Sequence, residues 1–486
     1  MFKTLSLSNF KGIDNLKELE IKPITIISGT NSSGKSSVLQ SLLLLKQNMG
    51  SSIAEGPITF NGNFVHLGTF LDVVHGRQKD REISISLKFS LTPQREVGEE
   101  LPTWYWLREF VPRENNVRLA EVEYSIVLER LNDDNSPNGD HEEDVAVKHM
   151  EFSVLVESHK SSVVLEREGK RRYKARWKNI SPRRGTSTGS GRVSVGFTGL
   201  LPDVIRFAEE DTSASTMFNT LRAIRYILRR EVNVLRYIGP LRHEPQRRYI
   251  REEDFREVGT KGQYSPYIFH KEQNKKLKDV AMYSFSDEKF YNVAEISLRD
   301  ALIDWMDGLG IKGFASSSRE ELLKLVMDSP SGAKVSIADV GFGVSQIFPI
   351  LLEGLRMPKG DILVLEQPEI HLHPNLQMNL ADFLISLAMS GKNVIVETHS
   401  DHVINRLVRR VVEDESNLIN DKVAIYFASN DGNSVSFTPV KIDEARGLVN
   451  WPKDFFDQTA SEQERIMLAT LKRRKSARLK DGHPRR

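Results

Sequence analysis

Eight residues constrain this chain more than any others: Gly29-Thr30-Asn31-Ser32-Ser33-Gly34-Lys35-Ser36, a glycine, four residues, then glycine-lysine-serine. Before them runs Pro23-Ile24-Thr25-Ile26-Ile27, short and β-branched, which reads as a strand buried on both faces. After them, from Lys35, the apolar residues Val38, Leu39, Leu42, Leu43 and Leu45 recur at helical spacing until Met49-Gly50. Strand, glycine-bounded loop and helix in that order make a cradle for phosphate. The glycines let the backbone curl so that successive N–H groups point inward, and the helix adds its positive dipole end. Lys35 is expected on the β- and γ-phosphate oxygens and Ser36 on Mg²⁺, with Asn31, Ser32, Ser33, Gly34 and Ser37 around the same anion.

At about 150 residues per domain, a chain of 486 residues holds roughly three structural units. It has no cysteine, which excludes disulfides, iron–sulfur clusters and thiolate zinc sites and suits a reducing compartment. No apolar run approaches the ~18 residues of a membrane span, and Met1-Phe2-Lys3-Thr4-Leu5-Ser6 opens no signal-peptide core. A cytoplasmic protein without membrane contact is expected. With 68 basic against 66 acidic side chains, a net charge of +2, it is not a uniformly basic nucleic-acid binder.

Ile58-Thr59-Phe60 and Ile83-Ser84-Ile85-Ser86-Leu87 read as further strands. Alternating runs such as Val122-Glu123-Tyr124-Ser125-Ile126-Val127-Leu128 make residues 91–234 a β-rich insert, with an acidic loop at 133–144 and a Gly/Ser/Thr linker at 183–192. Helical spacing returns over residues 217–235, 298–309 and 319–327. Strand and helix then alternate, with strands at 362–365 and 394–397 and helices at 375–389 and 402–413, which argues for a parallel sheet covered by helices. The expected fold class is α/β: a mostly parallel sheet flanked by helices, plus the β-rich insert. Residues 1–90 and 235–450 form the two parts of the main unit, and residues 451–486 a closing segment. Its residues 472–486 hold eight basic side chains and one acid, and are expected to be disordered or to contact a partner.

A phosphate loop needs a carboxylate at the end of a neighbouring strand to hold its metal. Ile362-Leu363-Val364-Leu365-Glu366 ends in that way, so Glu366 is the candidate Mg²⁺ ligand. Gln367-Pro368-Glu369-Ile370-His371-Leu372-His373-Pro374 follows directly. Val394-Ile395-Val396-Glu397-Thr398-His399-Ser400 is a second buried strand ending in a polar cluster, from which His399 can reach a γ-phosphate. His371 and His373, one residue apart with no third ligand nearby, make a poor zinc site.

Together these segments resemble the ABC-type (RecA-like) ATPase heads of the SMC, RecF and OLD group, over about residues 1–90 and 330–430. Leu7-Ser8-Asn9-Phe10-Lys11 is similar to that group's first-strand motif, which implies a nucleotide contact for Lys11. Glu366-Gln367-Pro368-Glu369 with His371-Leu372-His373-Pro374 resembles its Walker B and D-loop, and Thr398-His399-Ser400 its switch histidine. Asp339-Val340-Gly341-Phe342-Gly343-Val344-Ser345-Gln346 stands at its signature position. The resemblance implies that Gly341, Gly343 and Ser345 of one subunit close over the γ-phosphate held by another, so that ATP and Mg²⁺ join a homo-oligomer. Three departures stand out. Gly341 replaces the signature serine. His66, in Asn63-Phe64-Val65-His66-Leu67-Gly68, lies where a Q-loop glutamine is usual. Gln367 occupies the place of the catalytic glutamate, and glutamine orients water but takes no proton; either Glu369 is the base or hydrolysis is slow.

Tyr237-Ile238-Gly239-Pro240-Leu241-Arg242 and Gly447-Leu448-Val449-Asn450-Trp451-Pro452-Lys453-Asp454-Phe455-Phe456-Asp457-Gln458 are similar to stretches of stand-alone bacterial ATPases from anti-phage defence operons. Size and plan resemble the AriA-type ATPases of PARIS defence systems. That resemblance implies a sensor or scaffold that holds and releases a separate Toprim-type effector nuclease, because the about 60 residues after Phe427 are too few for such a domain. DNA or a DNA-mimicking phage protein is a candidate partner. The alternative is a RecF-like or SMC-like DNA-binding repair ATPase. Residues 166–192 hold ten basic side chains against two acids, with Tyr173 and Trp177 interleaved, and Arg242, Arg247, Arg248 and Arg251 form a second cluster. A solvated hairpin face and an interface are the plainer readings of the two.

Overall fold

The computed structural model describes residues 1–50, 58–91, 103–111, 119–131, 145–169, 171–180, 187–207, 212–250, 255–319, 322–329, 331–339, 342–443, 446–450 and 458–481. The 133–144 loop, the first part of the 183–192 linker, Arg251, Gly341, and residues 451–457 and 482–486 lie outside the described residues.

The chain opens with a hairpin, β1 (Phe2–Phe10) and β2 (Ile13–Glu20), and β3 (Ile24–Gly29) then leads through the phosphate loop into α1 (Lys35–Met49). Short helices α2 (Phe70–Val73) and α3 (Thr103–Leu107) flank β4 (Ile83–Leu91). Six strands follow: β5 (Ala120–Arg130), β6 (Val145–Val156), β7 (His159–Arg167), β8 (Arg172–Ile180), β9 (Ser187–Thr198) and β10 (Leu201–Phe207). They extend a sheet of order β10-β9-β8-β7-β6-β5-β4-β1-β2, antiparallel throughout. The expectation of a mostly parallel sheet is therefore corrected, since the largest sheet has nine strands and all are antiparallel. The reason is local. β4 buries every second residue from Ile83 to Leu91, a one-faced pattern, and strands joined by hairpins can pair only antiparallel.

α4 (Thr212–Asn233) returns the chain to β11 (Leu235–Ile238). Next come β12 (Tyr249–Ile250), α5 (Ser265–Glu272), the hairpin β13 (Lys276–Ser284) and β14 (Lys289–Ser297), and α6 (Leu298–Gly308). The helix expected over residues 319–327 is instead a hairpin, β15 (Ala315–Arg319) with β16 (Leu322–Asp328). Leu323, Leu325 and Met327 are buried while Leu322 and Lys324 are exposed, a period of two and not of 3.6. Residues 58–60 make no strand either; the Asn48 side chain holds the Thr59 amide at 2.8 Å.

β17 (Lys334–Ser336) precedes α7 (Phe342–Arg356). Strand and helix then alternate as read from the sequence: β18 (Ile362–Glu366), α8 (Pro374–Met389), β19 (Asn393–Glu397), α9 (Asp401–Glu413), β20 (Val423–Asn430), then β21 (Val435–Val440) and α10 (Gln458–Asp481). Residues 472–481, expected to be disordered or partner-bound, continue helix α10. The second sheet has the order β11-β18-β19-β3-β20-β21, parallel except for β21. Its central strands are buried without alternation because both faces are covered. Ile27, Ile362, Val364 and Ile395 pack towards α1 and the antiparallel sheet, whereas Ile24, Ile26, Leu363, Leu365, Val394 and Val396 pack towards α7, α8 and α9. The parallel strands all point one way, so β3, β18 and β19 deliver their C-terminal residues to one edge.

Candidate nucleotide site

Gly29 has φ 149°, and a Cβ there would lie 2.2 Å from the Ala428 carbonyl oxygen of β20. Gly34 has φ 78° and ends the loop as the N-cap of α1, where no side chain caps the helix. The Ser37 N–H donates to the Gly34 carbonyl at 3.0 Å, and no side chain caps the N–H groups ahead of it, which suits an anion. A Cβ on Gly34 would meet Val435 Cγ2 at 2.6 Å, so β21 walls the loop from outside. Lys35 is buried and folds back onto the loop, its Nζ donating to the carbonyls of Gly29 at 3.1 Å and Thr30 at 2.5 Å. Burial lowers its pKa, opposed by the nearby Glu397. Asn31 and Ser32 are exposed at the loop tip, while Ser33 and Ser37 are buried.

Ser36 does not lie idle: its hydroxyl donates to Glu397 Oε1 at 2.9 Å. Glu397 is the last residue of β19 and stands in register beside Glu366, the last residue of β18. The second oxygen of Glu397 is buried with no hydrogen-bond partner. Burial first, and the charge of Glu397 second, push the Glu366 carboxyl up to about 7, against a hydrogen bond from Tyr237. Burial likewise raises Glu397, and Ser36 and Lys35 oppose the rise. Glu369 completes the acidic group. It is buried, accepts the His399 amide at 2.6 Å, and keeps Oε2 without a partner. Its pKa is raised, chiefly by burial, whereas His399 is lowered by burial and by Lys35. An orphaned buried carboxylate oxygen beside a serine hydroxyl is a donor set suited to a hard divalent cation that keeps further ligands from phosphate and water.

A model of the AAA ATPase domain family matches residues 1–179 and 219–404. The chain belongs to that family. Residues 418–466 match a second family, described as a protein of unknown function (DUF3696). Among solved structures, an SMC head domain from Thermotoga maritima is 12% identical, covering 91% of this chain and 99% of that one at a TM-score of 0.38. An SMC head bound to the C-winged helix domain of ScpA is also 12% identical, covering 91% and 98% at a TM-score of 0.39. No curated protein matches the chain.

In this AAA ATPase domain the remaining expected residues are distributed as follows. Lys11 donates to Gln40 Oε1 of α1 at 2.9 Å, on the flank of the helix that carries the phosphate loop. Gln367 sits at φ 44°, in the left-handed region, with its amide donating to the Glu397 carbonyl at 2.8 Å. His373 caps α8, its Nδ1 accepting the Asn375 amide at 3.4 Å, and His66 is exposed. Among the described residues no group of three or more histidines and acids forms a metal cluster. Gly343 lies at the start of α7, where a Cβ would be 3.4 Å from the His371 carbonyl oxygen. Ser345 is buried in its own chain, lining a small cavity with Tyr249, Phe348 and Pro349. Tyr173 and Trp177 of β8 are buried too, so they are unavailable to stack on bases.

Three residues of the site were not foreseen. Glu397 ends Val394-Ile395-Val396 as Glu366 ends Ile362-Leu363-Val364-Leu365, so the same signal marked both. Tyr237 and Arg242 bound a stretch singled out for its resemblance to defence ATPases, but nothing local gave them a place at the site, which they reach through the pairing of β11 with β18.

Proposed function

We propose that this chain is an ATP-binding and ATP-hydrolysing molecular switch of the ABC type found in the SMC, RecF and OLD group. One observation carries the reading: the phosphate-loop Ser36 donates to the buried strand-end carboxylate Glu397, which stands in register beside Glu366. The buried carboxylates Glu369 and Glu397 and the half-buried Glu366 stand against Lys35 and Arg242, a shortage of positive charge that a divalent ion would correct. Ser36 and Glu366 would hold Mg²⁺, with Glu397 beside them, and the ion would neutralise charge on the β- and γ-phosphate oxygens. Lys35 exchanges loop carbonyls for phosphate. Burial raises both Glu366 and Glu397, so a cation would bind in competition with a proton there. Gln367 orients the attacking water, Glu369 accepts its proton, and turnover is slow. His399, kept neutral by burial, donates to the γ-phosphate.

In this reading Gly341, Gly343 and Ser345 of one copy close over ATP held by another, and the homo-oligomer grips a separate Toprim-type nuclease until a trigger arrives. The likeness of residues 237–242 and 447–458 to AriA-type defence ATPases supports the effector and the anti-phage role. A cytoplasmic setting fits the lack of cysteine, and no described helix is long and apolar enough to cross a membrane. Lys35→Ala tests the core of the proposal: it should abolish ATP binding in a fluorescent-nucleotide titration, and an unchanged affinity refutes the phosphate-loop assignment.

A RecF-like DNA-binding ATPase is the second reading, favoured by one observation. β8 exposes Arg172, Lys174, Arg176 and Lys178 along its solvent face. Such a ridge contacts phosphates without reading bases. Duplex affinity measured with ATP at two salt concentrations separates the readings, and no binding at low salt ends this one.

A further inference from the structure

Arg242 lies in the segment that follows β11 and is only 6% exposed. Its Nη2 donates to the main-chain carbonyls of Glu366 at 3.1 Å and Gln367 at 3.4 Å. Its Nε and Nη1 are buried with no acceptor, as Glu369 Oε2 is buried with no donor. Arg242 and Glu369 attract one another electrostatically, yet among the described residues they form no direct ion pair. A buried guanidinium with two unmade hydrogen bonds is costly, and its retention calls for a state that uses them.

What Arg242 holds is a strained turn. Gln367 is a non-glycine residue at φ 44°, and its peptide groups are clamped from two sides, by the Glu397 carbonyl on its N–H and by Arg242 on its C=O. The segment that carries Arg242 is itself fixed. The Gly239 amide donates to the Thr260 carbonyl and the His243 amide to the Lys261 carbonyl, both at 2.8 Å. A Cβ on Gly239 would lie 3.0 Å from the Tyr237 hydroxyl, the group that hydrogen-bonds Glu366, and would press it aside by a few tenths of an ångström. One short segment therefore grips the Glu366 side chain through Tyr237 and the Glu366 and Gln367 main chain through Arg242.

We infer that Arg242 is a positioning residue of the nucleotide site, which holds Glu366 and the left-handed Gln367 in their working geometry and keeps two N–H donors for the Glu369 carboxylate. The inference rests on the nucleotide-site reading above. Arginine is required because Nη2 alone serves both carbonyls and the planar guanidinium carries two further donor nitrogens, Nε and Nη1, pointing elsewhere; a lysine ammonium has one nitrogen.

Full-length Arg242→Ala and Arg242→Lys test it, with Mn²⁺ binding followed by electron paramagnetic resonance in the presence of ADP, and with turnover and thermal melting measured alongside. Expected for Arg242→Ala are metal-free nucleotide affinity within about threefold of the parent, Mn²⁺ affinity and kcat each about tenfold lower, KM little changed, and partial recovery of both in millimolar guanidinium ion. Arg242→Lys should recover neither. Parental Mn²⁺ affinity and kcat in a folded Arg242→Ala protein overturn the inference. If that variant does not fold, parental values in Arg242→Lys overturn it equally. Lys35→Ala is the control: if the parent protein binds no nucleotide, the site reading itself falls, whereas binding lost in Lys35→Ala beside unaffected Arg242 variants sinks this inference alone.

Discussion

Ser36 and Glu397, 361 positions apart in the chain, share a 2.9 Å hydrogen bond. The carboxylate occupies the hydroxyl that a metal needs, and its own second oxygen is left unpaired. Glu397→Gln keeps the shape and removes the charge. Mn²⁺ affinity in the presence of ADP should fall about tenfold, while melting should not drop, because the repulsion with Glu366 is relieved. A titration showing unaltered Mn²⁺ affinity would remove Glu397 from the metal's surroundings.

Glu366 sets a pH signature. Its folded pKa is about 7, raised above 4.5, so between those values the native state holds a proton that the unfolded chain has lost. Its contribution to stability is therefore fullest at acid pH and declines as pH rises to 7, by on the order of 3 kcal/mol. Relative to Glu366→Gln, the parent should lose melting temperature between pH 5 and 7.5. The same proton competes with metal, so Mn²⁺ affinity should weaken up to tenfold per unit below about pH 7. A flat difference between the two proteins across that range contradicts the shift.

Val435 presses on two glycines, since a Cβ would approach its Cγ2 to 2.6 Å from Gly34 and 2.8 Å from Gly12. Gly12→Ala should cost about 1–3 kcal/mol in urea unfolding, and Val435→Ala in the same chain should return most of it. Gly34→Ala should recover less, because its φ of 78° stays strained whatever the space.

Gln367→Glu offers a proton acceptor beside the metal carboxylate. Phosphate release should speed up by about tenfold or more if a base is all that position lacks. No acceleration, together with loss of turnover in Glu369→Gln, assigns the base to Glu369.

Asp382 of α8 is fully buried and pairs with Arg406 at 2.9 Å and Arg410 at 2.7 Å, both on α9. Asp382→Ala takes the paired carboxylate from Arg406 and leaves Arg410 with Glu413 at 2.7 Å, and should destabilise by about 3–5 kcal/mol, read from a urea midpoint.

The phosphate loop was legible because its chemistry needs contiguous residues, Glu366 because it ends a buried apolar run, and His399 because it follows two residues after another. The antiparallel sheet was half legible. Alternation in Ile83-Ser84-Ile85-Ser86-Leu87 marked a one-faced strand, yet nothing in it says that Leu5 and Leu7 of β1 pair alongside. Residues 319–327 read as a helix because a leucine-rich run of that length satisfies either period until β15 is known to pair with β16. Arg242 stands out in sequence only as one of several arginines and as the end of the 237–242 stretch, with no role at the site marked. Its role depends on carbonyls 124 and 125 residues away, and no local pattern encodes such a distance.

β3 has β19 on one side and β20 on the other. A ribosome releasing this polypeptide presents Ile24, Ile26 and Ile27 long before Val394 or Ile425 exists to flank them. At cellular elongation rates that delay is roughly 20 to 70 s. During that interval the nascent strand has two vacant edges and is a natural client for chaperones. Translation stalled ahead of residue 393 would leave a chain carrying every phosphate-loop residue and unable to assemble the strands around it.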